Sequence, residues 1–325
     1  ERIGAEFGVS IRELGPVPGG YDVDAAVYRA MDGSGVEWAV KLSRTGRLGG
    51  LVLTQRLARD GVLGITGPLP ARDGEPFAVF EDAWLSVTPW VRGRAATSAG
   101  MDKDRWRRLG ALIADVHAMT PTEAEAARIP GEDYRTSALN TLADLDTRLG
   151  DADPEDRLLA KLCRTWWSAR DSIDVICTGT RDLGDLLRAA PSPGVVGHGD
   201  PHLGNVQIDD DGGLWLLDWD EAALAPPERD LMFVLGGVLL AWPAPAQLRT
   251  WFAAGYGPVV VDPVRLAYFR CERAVEDVLG LAEMVLDAAP DPTAMAEVLG
   301  HFLGALSPSG IATAALASLR EIGRD

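Results

Sequence analysis

The chain has 325 residues, 47% of them hydrophobic, which suits one large or two moderate globular domains with a real core. Its 48 acidic residues against 31 basic ones leave a formal net charge of −17, which argues against nucleic acid and anionic membrane as partners and suits a cationic small molecule. Three scattered cysteines, Cys163, Cys177 and Cys271, form neither a disulfide framework nor a metal motif and agree with a reducing cytoplasm, and the longest apolar run, Leu231 to Trp242, is too short to span a bilayer.

The first ninety residues read as β-rich. Ile11–Pro16, Ala25–Ala30, Val36–Leu42 and Phe77–Glu81 alternate or run apolar at strand length, with a helix over Leu48–Arg59 between the third and fourth. From about residue 100 the pattern turns helical. Trp106, Leu109, Leu112, Ile113 and Val116 recur at three and four and mark an amphipathic helix. Residues 135–150 and 155–189 continue it, Pro191 to Gly194 break it, and helices resume over about 228–241, 263–288, 292–305 and 309–322.

The break introduces the most informative stretch. Residues 198–205 read His-Gly-Asp-Pro-His-Leu-Gly-Asn, and Leu-Asp-Trp-Asp follows at 217–220. Asp200 and Asn205 stand five apart, and Asn205 and Asp218 thirteen apart. An Asp five residues before an Asn is the spacing of a catalytic loop for phosphoryl transfer, in which the Asp takes a proton from a hydroxyl and the Asn holds magnesium. Val206–Ile208 and Leu214–Leu217 flank the turn signal Asp209-Asp210-Asp211-Gly212-Gly213, so a hairpin delivers Asp218 beside Asn205. Magnesium takes a few hard oxygen ligands plus phosphate oxygens, and one carboxylate with one carboxamide meets that need. His198 is expected to buttress the loop and His202 to line the site. Asp209 to Asp211 read as a solvated turn.

Upstream, Trp38-Ala39-Val40-Lys41 matches a strand that carries a phosphate-binding Lys, with Ala39 and Lys41 on one face. Gly19 and Gly20 make the natural phosphate-covering turn, since Gly lets backbone amides approach an anion. Ser86, Val87, Thr88 and Trp90 belong to the expected connector between two lobes, where backbone groups would meet an adenine edge.

These residues resemble the aminoglycoside phosphotransferase family. His198-Gly199-Asp200-x-His202-x-Gly204-Asn205 with Asp218-Trp219-Asp220 carries the likeness, and Gly19-Gly20-x-Asp22-x-Asp24 with Asp218 to Asp230 looks like its spectinomycin phosphotransferase branch. The resemblance implies an α+β, bilobal protein-kinase-like fold with a small β-rich N-lobe (1–88) that binds nucleotide and a large helical C-lobe (89–325) that binds the acceptor. It implies ATP or GTP with Mg²⁺, Asp200 as base, Asn205 and Asp218 as metal ligands and Lys41 on the phosphates. Such folds tie the strand Lys to a Glu on the next helix, whereas residues 42–59 hold neither Glu nor Asp, so Gln55 is the candidate by spacing. Asp220 and Glu221, just past the metal Asp, and Glu272 and Glu276, on one helix face, are candidates for amine contacts. The expected activity is phosphorylation of a hydroxyl on an aminoglycoside or aminocyclitol in the cytoplasm. Two other readings stay open: a kinase of another small metabolite or biosynthetic intermediate, and a nucleotide-binding pseudokinase.

Overall fold

The computed structural model describes residues 2–17, 24–44, 47–152, 155–288 and 291–324. They form two compact units. One is built from Glu1–Gly131, Val195–Ala225 and Trp251–Gly257, the other from Glu132–Gly194, Pro226–Thr250 and Pro258–Asp325. No helix among the described residues is long and apolar enough to cross a membrane.

The first unit opens with α1 (Arg2–Phe7) and a five-stranded antiparallel sheet of β1 (Ile11–Pro16), β2 (Ala25–Asp32), β3 (Glu37–Ser43), β4 (Ala78–Phe80) and β5 (Ala83–Pro89), in the order β1-β2-β3-β5-β4. One face of the pleat buries Ala30, Val40, Leu85 and Val87 against Phe7, Ala71 and Ala78. The register sets Lys41 opposite Val27 on one side and Ser86 on the other. The β2–β3 turn is closed by Asp32, whose carboxylate accepts from the Ser34 and Val36 amides (2.8 and 3.0 Å) and from the Trp38 indole (3.0 Å). Between β3 and β4 runs α2 (Gly49–Arg59), burying Val52, Leu53 and Leu57.

Then follow β6 (Gly93–Ala95), α3 (Ala96–Ala99), α4 (Lys103–Ala118) and α5 (Glu123–Ala126). Asp102 caps α4 by accepting from the Arg105 amide, and the five residues that define its apolar stripe in the sequence are all buried. The second unit takes up the chain with α6 (Leu142–Gly150) and the long α7 (Arg157–Ala189). The chain then returns to the first unit as β7 (Val195–Gly197), β8 (Val206–Asp209), β9 (Leu214–Leu216) and β10 (Ala223–Ala225), where β8 pairs with both β6 and β9, and β7 pairs with β10.

Helices α8 (Glu228–Leu235), α9 (Ala246–Tyr256), α10 (Pro263–Asp287), α11 (Pro292–Ala305) and α12 (Ile311–Glu321) complete the chain. Helix α10 is the axis of the second unit; its Tyr268, Phe269, Cys271 and Leu279 are fully buried in one core with Trp166 of α7 and Phe302 of α11. The architecture is therefore α+β, as the sequence predicts.

Three stretches differ from the sequence reading. The apolar run from Leu231 continues as helix only to Leu235. Gly236, Gly237 and Leu239 take φ of +95°, +125° and +50°, and a Cβ on Gly236 would lie 2.5 Å from the Ala241 carbonyl oxygen. Helix α9 is absent from that reading because it buries only Phe252 fully and so lacks an apolar stripe. Residues Ser86 to Thr88 are strand, not connector.

Candidate active site

The residues expected to form the catalytic loop lie together in the first unit. His198 is fully buried, its ring edge-on to Trp219 at 4.7 Å. Its Nδ1 accepts from the Asp200 amide at 3.2 Å, which puts the ring proton on Nε2, 2.9 Å from the Leu217 carbonyl. His198 thus bridges the loop to the end of β9, the buttress expected of it. His202 Nδ1 accepts from the Gly204 and Asn205 amides (3.1 and 3.2 Å), so its Nε2–H faces the Asp200 carboxylate at 3.5 Å. Asn205 donates through Nδ2 to the Asp200 carbonyl at 2.9 Å. That leaves the carboxamide oxygen as the atom able to meet a cation.

The β8–β9 hairpin positions the second acid. Its turn is no loosely solvated run. Asp209 accepts from the Trp215 indole at 2.7 Å and from the Gly213 and Asp211 amides at 2.6 and 3.0 Å. The Leu217 amide donates to the Asn205 carbonyl at 2.9 Å, so the residue paired with Asn205 immediately precedes Asp218. Asp218 itself sits at φ +60°, a conformation that costs a non-glycine residue free energy and persists where the surroundings dictate it. Trp219 beside it is buried and donates to the Leu216 carbonyl at 3.0 Å.

With Trp219 turned into the core, Asp218 and Asp220 both reach Lys41. Lys41 Nζ lies 2.5 Å from Asp220 Oδ2 and 3.6 Å from Asp218 Oδ1. Glu221 pairs with Arg47, an ion pair absent from the sequence reading because the two lie 174 positions apart. Gln55 is not brought to Lys41. Its Oε1 accepts from Arg59 at 3.5 Å, its buried Nε2 has no hydrogen-bond partner among the described residues, and it lines a cavity of about 180 Å³ with Arg56, Glu75, Glu125 and Arg128. The spacing placed Gln55 on α2 but not its partner, which is Arg59 one turn along the same helix.

Gly19 and Gly20 lie outside the described residues. Ser86, Val87 and Thr88 face Lys41, Val40 and Ala39 in the β3–β5 ladder, and the Val87 carbonyl accepts from the Leu69 amide at 2.7 Å. The Trp90 amide donates to the Glu37 carbonyl at 3.0 Å and its ring lies under the Arg29 guanidinium. These bonds account for the Val87 carbonyl and the Trp90 amide. A cavity of about 1100 Å³ in the same unit is lined by the end of α2, α4 and the β8–β9 turn, with Leu57, Leu63, Met119 and Trp215 in its wall; Asp200, Asn205 and Asp218 do not line it.

Glu272 and Glu276 belong to the second unit. Glu272 is buried and accepts from the Tyr268 hydroxyl at 2.5 Å; Glu276 accepts from Thr136 at 3.1 Å. With them stands Glu132, missed in the sequence because nothing in its local pattern marks it, and 3.5 Å from Arg229. Burial, then the neighbouring Glu276 and Glu132, push the Glu272 carboxyl well above the usual carboxylate range. Burial likewise raises Glu132 despite Arg229.

No cluster of three or more His, Cys, Asp or Glu suited to a metal occurs among the described residues. The donor set at the hairpin, one carboxamide oxygen and the half-exposed Asp218 carboxylate, fits magnesium, which keeps waters and phosphate oxygens as its remaining ligands.

The fold matches spectinomycin phosphotransferase APH(9)-Ia in complex with ADP and spectinomycin, at a TM-score of 0.83 and 24% identity, covering 98% of this chain and 96% of that one. It also matches amicoumacin kinase hAmiN, with a TM-score of 0.60 and 15% identity over 96% and 95% of the two chains. Over 186 residues the chain is 30% identical to Protein StrN of Streptomyces griseus, a match spanning 54% of this chain and 55% of that protein, so the chain spans about half the length of this curated relative. The fold is thus the kinase-like one implied by the sequence. The model of the phosphotransferase enzyme family matches residues 13–298, and the chain belongs to that family.

Proposed function

We propose that the protein transfers the γ-phosphoryl group of ATP or GTP to a hydroxyl of a small, amine-bearing acceptor of the aminoglycoside or aminocyclitol class, spectinomycin-like in kind. The observation that carries this reading is the grouping of Asp200, Asn205, the Asp218–Asp220 segment and Lys41 within one unit. Asp200 takes the hydroxyl proton as the acceptor oxygen forms its bond to the γ-phosphorus; the bond to the bridging oxygen breaks and the nucleoside diphosphate leaves. His202 orients the Asp200 carboxylate through Nε2–H. Asn205 and Asp218 would hold Mg²⁺, which when bound offsets phosphate charge, and Lys41 supplies a further positive charge. Residues 1–88 serve as the nucleotide-binding part and 89–325 as the catalytic and acceptor-binding part. The crowded carboxylates Glu132, Glu272 and Glu276 suit an acceptor ammonium, since an added cation relieves their mutual repulsion.

Similarity to a spectinomycin phosphotransferase and to an amicoumacin kinase supports this acceptor class. A small-metabolite kinase is the second reading, favoured by fold likeness to a microcompartment-associated aminopropanol kinase at a TM-score of 0.58 and 16% identity. The test is phosphorylated product from an acceptor panel. Asp200→Ala is expected to lower turnover by on the order of a thousandfold or more while nucleotide still binds. Undiminished turnover in that variant removes the assignment.

A further inference from the structure

We propose that Asp220 is the residue that positions Lys41, and that the catalytic hairpin itself supplies the anchor that a helix carboxylate supplies in the expected arrangement. This rests on the phosphotransferase reading above. Helix α2 holds no acidic residue, and Gln55, its nearest substitute, faces Arg59 instead. The hairpin presents two carboxylates to one ammonium. Asp220 makes the closer contact at 2.5 Å and is 28% exposed, whereas Asp218 lies 3.6 Å away and is 57% exposed.

Burial of Trp219 explains the pairing. With the Trp219 side chain in the core, the carboxylates of Asp218 and Asp220 on either side of it both reach Lys41. The duties then divide. Asp218, the more open, is available to a metal ion, and Asp220 holds the ammonium when Asp218 is engaged. Without Asp220, a single carboxylate would have to serve both cations.

The way α2 is docked fits the same plan. A Cβ on Gly50 would lie 2.0 Å from the Trp219 carbonyl oxygen, so the first turn of α2 rests on the backbone between the two acids. The helix is registered against the hairpin by this close approach and needs no ion pair to Lys41. Glu221, the next acid along, is paired with Arg47 at the edge of the same turn. The acids at 220 and 221 thus each stand beside a basic side chain of the same unit, Lys41 and Arg47.

The test is a double-mutant cycle read by calorimetric titration of ADP with magnesium into the full chain. Lys41→Met and Asp220→Asn are each expected to weaken ADP binding by about tenfold, and the double variant to bind no worse than Lys41→Met alone, because each change disables the same contact. Additive losses, on the order of a hundredfold together, overturn the assignment, as does an Asp220→Asn variant whose only defect is a raised acceptor KM. Asp220→Ser is read in the same cycle if the Asn variant fails to fold, with the same two outcomes. If the unaltered protein binds no nucleotide, the phosphotransferase reading and this assignment fall together; if it binds and the losses add, only the assignment falls.

Discussion

Two sets of acidic residues, one in each unit, behave in opposite ways. In the first, Asp32 and Asp209 each close a hairpin turn by accepting from backbone amides and from the indole of a Trp six residues on, Trp38 and Trp215. Three residues past each Trp stands a charged site residue, Lys41 or Asp218. The Ser34 and Trp38 hydrogen bonds hold Asp32 down at about 2, and the Trp215 indole holds Asp209 below its ordinary value. In the second, Glu132 and Glu272 are crowded by burial and by other acids, and their carboxyls are raised. A satisfied carboxylate fixes a turn. A crowded one costs stability while it is charged and gains from any cation that arrives.

The largest expected effect comes from taking the Arg229 guanidinium away from the crowded group. Arg229→Met should cost about 3 kcal/mol at pH 7 in chemical denaturation, because it strands Glu132, and less at a lower pH, as the raised carboxyls take up protons. An equal loss at both pH values would break the contrast. Glu272→Gln keeps the shape and the Tyr268 contact but deletes a charge. It should raise stability at neutral pH by about 1 kcal/mol and flatten the pH dependence. The sign is fixed by the raised carboxyl: its stabilising share is full below the ordinary carboxylate range and is lost as pH climbs through the raised value.

The hairpin acids behave in reverse. Their depressed carboxyls contribute stability above the ordinary carboxylate range, and that share disappears as pH falls from about 4 toward about 2, the value for Asp32. An acid titration followed by Trp fluorescence should show this limb, and Asp209→Ala should remove part of it. Asp209→Ala should also cost about 1 kcal/mol at neutral pH through its lost hydrogen bonds. Asp32→Ala, at a more exposed turn, should have the smallest effect on melting, with a larger one on nucleotide affinity through the misplaced strand of Lys41. A hairpin variant without an acid limb would separate the latch from the titration.

The strands up to β4, helix α4 and the β8–β9 hairpin were legible because each repeats its apolar residues at the period of its own element. The segment after Leu235 was not, since the run stays apolar while the backbone of Gly236 and Gly237 leaves the helix. Glu132 and Arg47 were invisible for a different reason. Their partners lie far along the chain, and no local pattern records a distant neighbour.

The linear order of residues carries the proposed reaction type: the spacing of Asp200, Asn205 and Asp218 around a two-strand turn reads as a phosphate-handling loop through local geometry alone. Which carboxylate faces Lys41 was settled only when Trp219 entered the core and α2 settled on its backbone, across 179 positions of chain. Local spacing is written in backbone periodicity, whereas the choice among neighbouring charges depends on which side chains the packed interior turns outward.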